Sequence, residues 1–318
     1  MPATQLKTRE RPVAIVRRRM QSARLRAYGA LALGVLCIGF SAIFTKWADL
    51  PGSVSAFYRV LIATAALTIP YLLYVYRRRQ RERLLQVEQR PPRMGRALFG
   101  ITVLAGLFFA LDLGFWNTAL LVTSAANATL LGNLSTVWVS LGALLLFHES
   151  LKRRFWLGMV IALAGTAIIV GRDVFAHPEV GWGDLLSVGS SFFYAGYLLT
   201  TNRARRTMGT MPFMWISSVA STVMLLAYVL LMGEELTGFT PEQWWSLIAL
   251  GLVSHALGWL AINYSLGHLP APLASVTLLS QPVITALLAV PLLSEHLSAY
   301  QVVGGALVLA GIYIVNRR

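Results

Sequence analysis

The second half of this chain repeats the first. Residues Ala110 to Arg172 align without a gap on Ala256 to Arg318 at a constant offset of about 146, with roughly 18 identities in 63 positions. Glu149 falls on Glu295, Leu151 on Leu297, Gly158 on Gly304, and Leu163-Ala164-Gly165 on Leu309-Ala310-Gly311. The two copies differ in charge. The first reads His148-Glu149-Ser150-Leu151-Lys152-Arg153-Arg154, while the second, Ser294-Glu295-His296-Leu297-Ser298-Ala299-Tyr300, has no Lys or Arg. Basic connections stay on the cytoplasmic side of a membrane, so the two copies are expected on opposite faces. An inverted repeat of this kind is the signature of alternating access.

The membrane expectation rests on composition: 56% of the residues are hydrophobic and 13% are charged, well outside the balance of a soluble domain. A spanning helix needs about 20 mostly apolar residues, and ten such stretches are found, at 28–47, 53–76, 97–119, 124–147, 155–171, 183–201, 212–232, 243–265, 272–293 and 299–316. The expected fold class is therefore all-α and integral to the membrane, with ten transmembrane helices forming two inverted five-helix repeats. The expected organisation is a basic cytoplasmic leader at 1–27, a first repeat at 28–172 and a second at 173–318. Five spans per half, an odd number, force the second half to enter the membrane in the opposite sense. No room is left for a soluble catalytic domain.

The net charge of +14 does not indicate a nucleic-acid partner, because its distribution follows topology. With the N-terminus cytoplasmic, about 24 of the 27 Lys and Arg fall in cytoplasmic segments: the leader, the 77–96 connection, Lys152 to Arg154, Arg203 to Arg206, and Arg317-Arg318. Only Lys46, Arg59 and Arg172 remain. Asp49, Asp173, Glu179, Asp184, Glu234, Glu235 and Glu242 gather on the other side. Both termini are expected in the cytoplasm, with the basic clusters touching anionic lipid. The Arg-rich leader has no small-residue cleavage site behind its apolar stretch and reads as uncleaved and partly disordered. Cys37 is the single cysteine, so no intrachain disulfide or cysteine-based metal cluster forms.

Trp116-Asn117-Thr118-Ala119-Leu120 follows the third span, and the Ala-rich fourth ends in Glu149-x-Leu151. The fifth carries Gly158 and Ala164-Gly165. Asn263-Tyr264-Ser265-Leu266, Gln281-Pro282, Glu295-x-Leu297 and Gly304 to Gly311 repeat the pattern. Together these resemble the EamA family of the drug/metabolite transporter superfamily, and within it the bacterial aromatic amino-acid exporter branch. The resemblance covers nearly the whole chain. It implies a ten-helix exporter of amino acids or other small metabolites in a bacterial inner membrane, with a central cavity lined by both halves. One departure concerns the fourth span, where the family's common proline is replaced by Thr136. The second half keeps Pro282, so bending is better assured in the ninth span than in the fourth.

Polar residues at membrane depth are costly and face a cavity or a partner. Asp112 in the third span and His255 in the eighth occupy the same sector of repeat-related helices, His255 aligning on Phe109. They either line a shared cavity, or Asp112 bonds a neighbouring hydroxyl and His255 is a neutral helix-to-helix group. His255, Trp259 and Asn263 form a stripe, with Asp112, Trp116 and Asn117 on the equivalent helix. Rings beside amides suit small amphipathic solutes, although the same pattern arises from packing and interfacial tryptophan. Asn133, Ser135 and Gln281 add hydrogen-bonding capacity on the fourth and ninth spans, as do Ser41, Tyr194 and Tyr197 on the first and sixth. Arg59, inside the second span, reads as one half of a structural ion pair or as a snorkelling side chain. Glu149 and Glu295 read as helix caps, and the glycines of the fifth and tenth spans as close-packing positions.

No Gly-x-x-x-x-Gly-Lys-Ser/Thr, no His-Glu-x-x-His and no nucleophile motif occurs, so ATP-driven transport on this chain and enzymatic activity are not expected. A channel would need charged rings or a carbonyl filter. The resulting expectation is a monomeric secondary carrier exporting small organic solutes, amino acids first, with no cofactor and no metal. The alternatives are a multidrug or other metabolite exporter of the same fold, or a non-transporting sensor. Proton antiport and uniport both stay open.

Overall fold

The computed structural model describes residues 6–86, 94–174, 181–294 and 296–317, and all the regular structure among them is helical. The helices are α1 (Leu6–Gly39), α2 (Ser41–Ala48), α3 (Gly52–Arg83), α4 (Arg96–Ala119), α5 (Ala125–Gly132), α6 (Ser135–Phe147), α7 (Arg153–Val174), α8 (Trp182–Arg205), α9 (Thr210–Met232) and α10 (Pro241–Ala249). A π-helical segment, Leu250–Trp259, then leads into α11 (Leu260–Leu266), α12 (Ala271–Leu278), α13 (Gln281–Leu293) and α14 (Ala299–Asn316). Among the described residues nine stretches are long and apolar enough to cross a membrane. The tenth expected span, 183–201, forms α8 but is not one of the nine. Its Asp184, Ser187, Ser190, Ser191, Thr201, Asn202 and Arg205 are all buried while Leu185 and Phe192 are exposed, so α8 turns a polar face inward and an apolar one outward. The basic leader, expected as partly disordered, is helical from Leu6 and continuous with the first span.

Several expected spans are interrupted. The first breaks at Phe40, the fourth between Gly132 and Ser135, and the ninth between Leu278 and Gln281. The break in the fourth needs no proline. Thr136 and Val137 donate to the carbonyls three residues back, at Asn133 and Leu134, and this tightened turn shifts the axis. The fourth and ninth spans thus break at equivalent places, although only the ninth has Pro282. The equivalence extends to the ends: α6 stops at His148 (φ 55°, ψ 32°) and α13 at Ser294 (φ 54°, ψ 31°), both left-handed. Non-glycine residues seldom adopt that conformation, and these two are aligned positions of the repeat.

Helices α7 and α14 meet along glycines. A Cβ on Gly158 would lie 2.7 Å from the Gly311 carbonyl oxygen, and one on Gly165 would lie 2.6 Å from that of Gly304. As the residue number rises on one helix it falls on the other, so the two run antiparallel with their backbones in contact. The main core is elsewhere, around α3, α4, α8, α9 and the π segment, where Val60, Phe109, Leu198, Phe213 and Trp259 are buried together.

The connections sort by charge. Arg206 donates to Glu149 at 2.6 Å, tying the α6–α7 connection to the α8–α9 turn, both of them basic. Thr123, in the α4–α5 connection, donates to Asp184 near the start of α8 at 2.8 Å, and the Tyr58 hydroxyl of α3 donates to the Leu236 carbonyl in the α9–α10 connection at 2.6 Å. Glu149 was expected to cap α7. Its carboxylate pairs instead with Arg206, because the left-handed turn at His148 carries it towards α8. Glu295 lies outside the described residues.

Candidate functional site

The centre of the bundle is an aromatic cluster on Phe109 of α4. Tyr197 of α8 lies 4.9 Å from its ring, Trp259 lies 4.9 Å away edge-on, and His255 lies 5.3 Å away edge-on. Trp259 also meets Tyr197 at 5.2 Å and Tyr194 at 5.9 Å, both edge to face. Edge-on contacts set the positive rim of one ring against the negative face of another. The π-helical segment supplies two of these rings. Its glycines weaken the ordinary helix and admit close neighbours: Gly251 sits under Ile62 of α3, and Gly258 under Cys37 and Ile38 of α1. Ser254 donates to the Cys37 carbonyl at 3.0 Å. Widened turns of this kind gather at functional sites, and this one brings His255 and Trp259 onto α4 and α8.

One edge of the cluster is charged. Arg59 of α3 lies over the Phe109 ring with its guanidinium carbon 5.9 Å from the centroid, and its Nη1 donates to the Ser41 hydroxyl at 3.2 Å. Asp112, three residues along α4 from Phe109, accepts from the Ser190 hydroxyl of α8 at 2.6 Å. Arg59 is within electrostatic reach of Asp112, Tyr194 and His255, yet no ion pair closes between Arg59 and Asp112 among the described residues. The expected structural ion pair of Arg59 is therefore replaced by a hydroxyl and a ring. Two buried polar atoms of this edge, Arg59 Nε and His255 Nδ1, have no hydrogen-bond partner. Buried polar atoms are nearly always satisfied, so two such atoms in one cluster give this edge unused hydrogen-bonding capacity.

Beyond Tyr197 the contacts become a clamp. The Tyr197 hydroxyl donates to Asn263 Oδ1 at 3.0 Å, and Asn202 of α8 donates to the carbonyls of Leu266 at 2.7 Å and Leu269 at 3.0 Å. Arg205 Nε donates to the Asn263 carbonyl at 3.0 Å, and its Nη1 to that of Met208. The last carbonyls of a helix lack partners within it, and α8 supplies donors for those of α11.

The twelve residues singled out from sequence divide in two. Ser41, Asp112, Tyr194, Tyr197, His255, Trp259 and Asn263 come together in this cluster and its clamp. Trp116 and Asn117 lie further along α4. Asn117 donates to the Leu113 carbonyl at 2.7 Å and packs against Gly52 at the start of α3, a role in packing. Asn133, Ser135 and Gln281 lie at the two helix breaks, where Asn133 Nδ2 is also buried without a partner. Sequence reasoning missed Phe109, Ser190 and the clamp residues Asn202 and Arg205, and gave Arg59 another role. For Arg59 the signal was present, since it is a basic residue within an apolar span. A phenylalanine in an apolar helix carries none.

Nine helical stretches long and apolar enough to cross a membrane, counted among the described residues, define a multi-pass membrane protein. The model of the EamA-like transporter family matches residues 25–171 and again 181–317, once over each half, and the chain belongs to that family. It is a membrane transporter. It is 25% identical over 225 residues to a protein of Archaeoglobus fulgidus named as an uncharacterized transporter, covering 70% of this chain and 74% of that one. It is 23% identical over 190 residues to the uncharacterized transporter YdfC of Bacillus subtilis, covering 59% and 61%. A solved crystal structure matches 93% of this chain and 97% of its own with a TM-score of 0.71 at 19% identity, a likeness of fold.

Proposed function

We propose that this protein is a secondary carrier that exports small organic solutes, amino acids first, across a bacterial inner membrane, exposing one central site alternately to either side. One observation carries the reading. Residues of both halves, Ser41, Arg59, Phe109 and Asp112 from the first and Ser190, Tyr194, His255 and Trp259 from the second, converge on one cluster that holds unpartnered buried polar atoms. A site shared by two repeats opens to one side or the other as they rock. The matched breaks and left-handed stops 146 residues apart, and the antiparallel glycine seam, support two inverted repeats. Proteoliposomes preloaded with radiolabelled amino acids test the reading: saturable efflux supports a carrier, and unsaturable flux or none at all rejects it.

Grouping of the basic connections on one face supports cytoplasmic termini. Gly95 and Gly181 suit a labelling test, because a Cβ at either meets nothing within 4 Å and the native Cys37 is buried. In intact cells, Gly95→Cys will resist an impermeant thiol reagent and Gly181→Cys will react. The reverse pattern would overturn the orientation.

Asp112 is the carboxylate that faces the cluster, and it is the group on which a proton would ride if a proton gradient drives export. Asp112→Asn will abolish any dependence of efflux on that gradient. Gradient dependence equal to that of the parent protein would remove Asp112 from the coupling.

A further inference from the structure

The guanidinium of Arg59 is only partly used. Of its three nitrogens, Nη1 is taken by Ser41, a neutral hydroxyl, and the flat face by Phe109. Nε is buried with no acceptor. Nε and Nη2 form the side of the fork that grips both oxygens of a carboxylate in parallel, and no hydrogen bond closes on that side among the described residues. A desolvated cation satisfied by one neutral oxygen is poorly compensated. Asp112 is its complement: Oδ1 is held by Ser190, and Oδ2 receives no hydrogen bond among the described residues. The two charges feel each other without closing an ion pair, so each keeps capacity for a ligand. Phe109, three residues before Asp112 on α4, carries the Arg59 guanidinium over its ring and meets Trp259, which in turn meets Tyr194.

We propose that Arg59 takes the carboxylate and Asp112 the ammonium of a zwitterionic α-amino acid, whose apolar side chain lies along the Phe109, Tyr194 and Trp259 rings. The assignment rests on the exporter reading above and narrows it to solutes bearing both charges. The neighbouring charges on such a solute match a site holding one of each sign, and a solute with either charge alone leaves one protein charge facing a desolvated gap. Asp112 then holds either a proton or a solute ammonium, which makes the two competitors.

Three probes separate the contributions: L-phenylalanine, 2-phenylethylamine, which lacks the carboxylate, and 3-phenylpropionate, which lacks the amine. Binding is measured by calorimetry on the purified full chain in nanodiscs. The parent protein will bind phenylalanine about tenfold or more tightly than either analogue. Arg59→Gln will weaken phenylalanine and phenylpropionate by about tenfold or more while leaving phenylethylamine within about threefold, and Asp112→Asn will do the reverse. Arg59→Lys keeps the charge but not the fork, so it will recover only part of the phenylpropionate affinity. It also serves if Arg59→Gln does not yield a monodisperse protein. A pair that only held the helices together would alter all three probes alike, and that result, or no binding of any probe by the parent protein, would overturn the assignment. If phenylalanine is exported normally while the probe pattern is uniform, the assignment falls and the exporter reading stands. If no amino acid is exported, the exporter reading falls, and the acid and amine analogues still report on the two charges.

Discussion

Replacing Gly158 with leucine will leave little folded protein to recover, whatever solute is supplied. The first atom of any side chain there would lie 2.7 Å from both the Gly311 carbonyl oxygen and a Val315 methyl, and a backbone oxygen cannot swing aside as a side chain can. Adding atoms to a filled contact costs about 1–3 kcal/mol, and here the whole side chain must fit where the first carbon does not. Between helices in lipid, attraction comes mainly from close van der Waals contact, so separating α7 from α14 also forfeits what joins them. Gly100, with nothing within 4 Å of its Cβ position, is the control. Gly100→Ala will be neutral or stabilising by up to about 1 kcal/mol, the difference in helix preference. Size-exclusion profiles and thermal unfolding in detergent read both variants, and a monodisperse Gly158→Leu protein with a normal melting temperature would contradict the seam.

The seam was legible because two small residues recur at aligned positions of the repeat. The helical stretches were legible for an equally simple reason: a run of about 20 apolar residues can satisfy its backbone in lipid only as a helix. What the letters hide is which side of a helix faces inward, because lipid tails are as apolar as leucine. Leu145 and Leu146 are exposed on the outer surface while Leu198 is fully buried, and nothing in those residue types separates them. Polarity separates them where it is present. The buried serines of α8 give away its inward face. Seven of the twelve candidate site residues met for the same reason, since polar groups in lipid seek one another. The five others are polar too, but three serve or adjoin the helix breaks and two lie near the end of α4, distinctions that depend on backbone turns no side chain announces. The break at Asn133 and the π-helical turn before Trp259 belong in that class. Both are set by backbone hydrogen bonding, i−3 at the break and π-helical before α11.

Truncating Trp259 to alanine removes the ring on which Phe109, Tyr194 and Tyr197 converge at 4.9, 5.9 and 5.2 Å. Only 7% of Trp259 is exposed, so most of the loss falls on packing, about 3–5 kcal/mol for a buried aromatic reduced to alanine. The melting temperature will therefore fall for the protein alone, before any solute is added. The consequence for transport passes through Tyr194, which is less buried and rests edge-on against the indole; with the indole gone, Tyr194 and Phe109 tilt into the gap. Solutes with large apolar side chains then lose a wall worth on the order of 1 kcal/mol beyond area burial, whereas small polar solutes, held by the charged edge at Arg59 and Asp112, lose less. Trp259→Phe keeps a ring in place and will preserve the order of preference at reduced affinity. Competition assays in proteoliposomes with phenylalanine, leucine and alanine read that order directly. If Trp259→Ala remains folded and ranks the three as the parent does, the aromatic cluster is a packed seam, and the solute must lie instead beside the two helix breaks at Asn133 and Gln281.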